Sequence, residues 1–272
     1  MTSIGFEAAA LLRWYAEMGV DDAVADEPCD WYAHVDPSPA KAIAKPHAER
    51  IVKAPPLRAD TRPTAAATVS ADEAVKAAEA AAAACRTHEE LGAAISAFDG
   101  CGLKAGARTT VFADGVPGAA LLVIGEAPGR DEDAVGKPFV GRAGQLLDKM
   151  LAAIGRSRKT DTLISNVVYW RPPGNRTPTQ VELAVCRPFV DRLIEITKPK
   201  AILLAGGVPT QALLGLTSIM RSRGVWRTIE TKGGDRVEAL PAFHPAFLLR
   251  NPAQKRFAWA DLLALDARLK RD

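Results

Sequence analysis

The sequence predicts an α/β protein in which a mainly parallel sheet carries helices on both faces, preceded by a helical extension. Three observations predict it. Apolar runs of strand length recur at 109–112, 119–124, 162–169, 200–205 and 236–242. Helical patterns separate them, and this alternation is what builds a parallel sheet between two helix layers. The chain has 272 residues, 48% hydrophobic and 25% charged, enough for one sizeable core plus an appendage.

Phe6, Leu11, Leu12, Tyr15 and Met18 fall near helical spacing and predict a short amphipathic helix over 5–19. Residues 1–36 hold eight acids against Arg13 alone, a net of −7 in a chain of formal charge +3, so the remainder carries +10. A basic body suits a nucleic-acid binder, because phosphate contacts supply most of the affinity. Repeated prolines mark 37–70 as an Ala/Pro-rich linker. Residues 71–97 read as one Ala-rich helix, and the compact domain spans 98–272.

Within it, Leu146, Leu147, Met150, Leu151 and Ile154 line one face of a helix over 142–154. Thr179-Gln-Val-Glu182 is a capping box, and the helix it opens puts Cys186, Phe189, Val190 and Leu193 on one side. Asn251-Pro252 reads as the cap and first residue of a final helix to about 270. No apolar run approaches the ~20 residues a membrane span needs. The N-terminus lacks the basic region of a secretory signal. Cys29, Cys85, Cys101 and Cys186 are too scattered for a disulfide framework, so a reducing, cytoplasmic home is expected.

Ligands of parallel sheets bind at the carboxyl ends of the strands. Three loops there are unusual. GEAPGRDE (125–132) follows the run Ala119–Ile124 and continues as DAVGKPFVGRAG. It offers acids and an arginine where a phosphate loop would offer Lys and Ser/Thr, which argues against a nucleotide-phosphate site. Asn166 interrupts an apolar strand and precedes RPPGNRTP (171–178); a buried Asn needs a partner. His244 opens HPAFLLRN (244–251) where a strand ends before a proline.

GEAPGRDEDAVGKPFVGRAGQLL, NVVYWRPPGNRTP and HPAFLLRNPAQKR, in that order, resemble the motifs of family 4 uracil-DNA glycosylases over about residues 98–265. The resemblance implies a four-stranded parallel sheet sandwiched by helices. It implies excision of a uracil turned out of single- or double-stranded DNA, which leaves an abasic site and free uracil. Phe139 matches the residue that stacks on the base. Asn166 matches the amide that reads its edge, and His244 the donor to the developing charge at O2. Gly125, Ala127 and Gly129 complete the uracil-binding loop. Glu126 is the first candidate for activating water, and Glu132, matching a position near C5 of the base, the second. For DNA, Arg142 and Gly144, beside Gly141, would meet phosphate at a helix start. Arg171, Asn175 and Arg176 belong to the second motif. In the third, Leu248 and Leu249 would wedge into the stack and Arg250 would hold a phosphate.

The family holds a 4Fe–4S cluster on four thiolates. Here Phe98 and Trp170 stand at two of those positions, leaving Cys101 and Cys186; Cys85 could substitute only through a rearranged loop. A cluster-free, monofunctional enzyme with no cofactor, acting as a monomer away from membranes, is therefore expected. The competing expectation is a protein that binds uracil or abasic DNA with little or no turnover. A basic insert associated with covalent attachment to DNA is absent between Arg130 and Gly141, so no adduct is expected.

Overall fold

The computed structural model describes residues 70–270. The helix expected over 5–19 and nearly all of the 37–70 linker lie outside them. The chain enters through Ala71–Ala84 (α1) and His88–Ala97 (α2). One helix over 71–97 is therefore corrected to two. Cys85 adopts extended backbone (φ −82°, ψ 136°), and Thr87 starts the next helix. Its hydroxyl accepts the Glu90 N–H, while the Glu90 carboxylate accepts the Thr87 N–H. The capping box overrides the high propensity of the alanine run.

The rest runs β1 (Ala113–Gly115), β2 (Leu121–Gly125), α3 (Arg130–Val135), α4 (Arg142–Ala152), β3 (Thr162–Asn166), α5 (Gln180–Thr197), β4 (Ala201–Ala205), α6 (Gly207–Leu214), α7 (Ile219–Ser222), β5 (Arg227–Glu230), β6 (Arg236–Ala242), α8 (Pro245–Arg250) and α9 (Lys255–Leu269). Thr179 caps α5 as its spacing predicts. Asn251-Pro252 instead opens a 3₁₀ turn, Pro252–Gln254, and α9 follows it.

The sheet order is β1-β3-β2-β4-β6-β5. Strands β3, β2, β4 and β6 are parallel to their neighbours, and β1 and β5 add antiparallel edges. The expected four-stranded parallel sheet is thus the centre of a six-stranded one. Both edges escape the apolar pattern for a physical reason. The run 109–112 is not the strand, although Val111 is buried and donates its N–H to the Tyr169 carbonyl at 2.8 Å; the strand follows at 113–115. In β5 only Ile229 is buried, so no alternation shows.

Successive side chains point to opposite faces. Leu122, Ile124, Ile202 and Leu204 meet α1, α2 and α5 in one core. Leu121, Val123, Leu203, Ala205 and Leu240 meet α4 and α9 in the other. Register then sets the site: Gly125 pairs with Asn166, and Ala205 with Ala242, so the motif-bearing strands end along the same edge of the sheet.

Candidate functional site

A cleft of about 420 Å³ opens on that edge. The loop after β2 gives it Glu126, Ala127, Pro128, Gly129 and Glu132. Phe139 and Ala143 come from the approach to α4, and Asn166 from the end of β3. Pro172, Asn175 and Arg176 come from the next loop, and His244, Ala246 and Arg250 from α8 and its cap. Residues far apart in sequence therefore share one cavity.

Asn166 is 2% exposed, yet its amide bonds to no other described residue. The amide opens to the cleft, where its bonding capacity is available. Phe139 is buried beside it. A Cβ on Gly125 would lie 2.4 Å from Asn166 Oδ1 and 2.5 Å from the Phe139 ring, so only glycine lets the two side chains close on that strand end. The Phe139 and His244 rings are stacked with centroids 5.6 Å apart. A flat ring between them would need about 7 Å, two contact distances of ~3.5 Å, so the two rings leave no room for one between them.

His244 Nδ1 accepts the Ala246 N–H at 3.1 Å. That bond requires an unprotonated Nδ1, so the neutral ring carries its proton on Nε2. Burial, followed by the charge of Arg250, lowers the His244 pKa to about 4, against a smaller opposing effect of Glu132. The ring is a neutral donor across the physiological range.

The acids of GEAPGRDED divide by what they touch. Glu132 accepts N–H groups of Gly129 (3.1 Å), Val140 (3.0 Å) and Gly141 (2.9 Å), tying the β2 loop to the start of α4. Asp133 is buried and accepts from Arg108 and Thr109 N–H at 2.8 and 3.2 Å. Asp131 is exposed. Glu126 faces the cleft with no hydrogen-bond partner for its carboxylate among the described residues, and burial pushes its pKa up.

Several expected roles need correction. At the helix start offered to phosphate, the Glu132 carboxylate takes the Gly141 N–H and that of Val140 before it, so Gly141 is not available to a phosphate. Gly144 is buried, where a Cβ would sit 1.8 Å from the Phe139 carbonyl oxygen; it serves close packing. Arg142 remains exposed at the first turn of α4. Leu248 is 1% exposed and packs with Phe243 and Ala258, so it is no wedge; Leu249 is 37% exposed. A Cβ at Gly129 would meet Glu132 Oε2 at 2.7 Å, so glycine there makes room for the carboxylate. Arg176 lines the cleft but is paired with Glu182, Nη2 to Oε1 at 2.6 Å and Nη1 to Oε2 at 2.9 Å. Arg171 donates to Asn175 Oδ1 at 2.7 Å and is not among the residues lining the cleft. Arg250 lines it and is unpaired among the described residues. Pro172, Ala143 and Ala246 also line it and were not anticipated, since nothing in their type marks a site.

The iron–sulfur positions were tested against the side chains present. Phe98 packs edge-on to Phe189 with centroids 5.1 Å apart. Trp170 is 1% exposed and donates its indole N–H to Thr110 Oγ1 at 3.1 Å. The neighbouring Cys101 thiol, then burial, pushes Cys186 well above the usual thiol range. Cys85 donates its thiol to Ala81 O of its own helix at 3.2 Å. Among the described residues no group of three or more His, Cys, Asp or Glu is placed to hold a metal ion. These residues do not fit a four-thiolate cluster.

The carboxyl edge of a mainly parallel sheet thus carries a cleft that holds an aromatic ring, an amide and a neutral histidine donor. The chain belongs to the uracil DNA glycosylase superfamily, whose family model matches residues 112–263. It is 37% identical over 173 residues to a type-4 uracil-DNA glycosylase of Pyrobaculum aerophilum, covering 61% of this chain and 86% of that one. It is 41% identical over 139 residues to the type-4 enzyme of Archaeoglobus fulgidus, covering 49% and 69%. Identity to that of Thermotoga maritima is 40% over 153 residues, covering 56% and 77%. No described helix is long and apolar enough to cross a membrane.

Proposed function

We propose that this protein excises uracil from DNA by hydrolysing the N-glycosidic bond. The observation that carries the reading is the buried amide of Asn166, without a protein partner, in a cleft that also holds Phe139 and a neutral His244. An amide can accept from the N3–H of uracil and donate to O4; in that orientation it does not match cytosine, which has an acceptor at N3 and a donor at C4.

The everted base stacks on Phe139 with its edge on Asn166. As the bond between C1′ and N1 breaks, the electron pair leaves with the base. His244 Nε2–H donates to the charge gathering on O2; such a donor is worth about 3–4 kcal/mol. Glu126, acting as the carboxylate, orients a water, takes its proton as the oxygen bonds to C1′, and stabilises the cationic sugar. Glu132 has its oxygens engaged and braces the loop. Leu249 at the rim fills the gap in the stack and unpaired Arg250 meets a phosphate. The products are uracil and an abasic site, with no lysine called on for strand cleavage.

We also propose that the enzyme works without an iron–sulfur cluster, since Phe98 and Trp170 stand where two thiolates would be and hydrolysis needs no electron transfer. Stoichiometric iron and sulfide in anaerobically purified protein would overturn that.

The test of activity is to incubate single- and double-stranded oligonucleotides bearing one uracil with the protein and then treat with alkali. Scission at uracil in excess over enzyme is expected. Tight retention without turnover would replace the enzyme by a binding protein.

A further inference from the structure

Phe139 has a positive φ of 53°, a left-handed conformation rare for a bulky residue. Such strain persists only where the surroundings impose it. On one side the Phe139 carbonyl lies against Gly144, where even a Cβ would not fit. On the other stands Arg158, from the turn between α4 and β3.

The Arg158 side chain is only 12% exposed, and its bonds converge on the Phe139 segment. Nη2 donates to the Phe139 carbonyl at 2.8 Å and Nη1 to the Pro138 carbonyl at 2.9 Å. Nη1 also reaches Asp114 Oδ2 at 3.2 Å, and Nε reaches Asp148 Oδ1 at 2.8 Å. Two carboxylates thus hold the guanidinium in place and balance its charge, while its fork grips two consecutive carbonyls. Arg158 does not line the cleft.

We propose that Arg158 is a positioning residue for base recognition: by holding the carbonyls of Pro138 and Phe139 from outside the cleft, it fixes the plane on which the base stacks. This rests on the reading of Phe139 as the stacking wall. A planar fork is required. A lysine keeps the charge and an ion pair, but one ammonium cannot reproduce the parallel pair of bonds to adjacent carbonyls together with the Nε bond.

The experiment measures single-turnover excision from a uracil oligonucleotide by wild type, Arg158→Ala, Arg158→Lys and Phe139→Ala. Affinity for undamaged DNA and the melting temperature are followed in parallel. Arg158→Ala should lose roughly 100-fold in rate, the scale of a small misplacement at a reacting centre. Arg158→Lys, which keeps the charge, should stay folded and recover less than a tenth of the loss. Guanidinium at about 20 mM, far below the molar range that unfolds proteins, should restore Arg158→Ala at least tenfold. It should not restore Phe139→Ala, which lacks the ring, and affinity for undamaged DNA should be unchanged. Full recovery in Arg158→Lys, a wild-type rate in Arg158→Ala, or a loss that guanidinium leaves untouched would each overturn the proposal. Should Arg158→Ala not fold, the rate of Arg158→Lys decides. Wild type run alongside separates the two ideas: no excision by wild type retracts the reading of the cleft and this inference with it, whereas full activity in the variants retracts this inference alone.

Discussion

Replacing His244 by Gln should flatten the acid dependence of stability. In the unfolded chain this histidine takes its proton near 6.5, whereas in the folded protein it resists until about 4. Between those values the unfolded state binds more protons, so stability falls as pH falls. Each unit of separation is worth 1.36 kcal/mol, so about 3 kcal/mol is lost by pH 4 and about 2 kcal/mol by pH 5. Urea unfolding of wild type and His244→Gln from pH 7.5 to 5 should show the difference between the two narrowing by about 2 kcal/mol toward acid. His244→Ala tests the donor: its single-turnover rate at pH 7.5 should fall roughly 10²–10³-fold, the usual cost of losing one such donor. The resonance missing from its NMR spectrum assigns the wild-type imidazole. A midpoint near 6.5 for that imidazole, or a stability difference independent of pH, would refute the reasoning.

Glu126→Gln should slow excision and abolish an acid limb of the rate profile that lies above the ordinary carboxylate pKa. Because the folded state holds the Glu126 proton more tightly than the unfolded chain, its charged form destabilises the fold, and the variant should melt no lower than wild type at neutral pH. Asn166→Ala should cut excision by at least a hundredfold while leaving the melting temperature equal or higher, because it removes a buried amide with no protein partner; a large drop would mean that the amide is structural. Gly144→Ala should lose about 1–3 kcal/mol by overpacking against the Phe139 carbonyl, read by urea unfolding, and lose activity with it; an unchanged midpoint would refute the close approach.

Much of this was legible in the sequence because periodicity and caps act locally. Continuous apolar runs identify β2 and β4, buried on both faces, and Thr179-x-x-Glu182 marks the start of α5 where it occurs. The same kind of signal explains a miss: Thr87-x-x-Glu90 breaks the alanine helix, and the box was overlooked because the surrounding propensity is so high. Edge strands failed differently. Their residues face water and β5 buries only Ile229, so burial leaves no imprint for a pattern to carry. Arg158 was invisible for a third reason. Its partners, Pro138, Phe139, Asp114 and Asp148, lie up to 44 residues away, and nothing in Ser157-Arg158-Lys159 distinguishes it from a solvated surface arginine.

What sequence could least supply was which of two chemically identical side chains has bonding capacity to spare. GEAPGRDE raises this with Glu126 and Glu132, six residues apart, both plausible as the group that activates water. Folding separates them. Glu132 meets three N–H groups and its charge is spent on architecture, while Glu126 reaches the same cleft with its oxygens free and its pKa raised. The arginines divide likewise: Arg176 is held by Glu182, Arg158 by two carbonyls and two carboxylates, and Arg250 by nothing described. Asn166 and the Nε2–H of His244 likewise have no protein partner among the described residues. An acceptor, an amide and a donor that face one cleft beside an aromatic ring, without protein partners among the described residues, have bonding capacity a ligand could use.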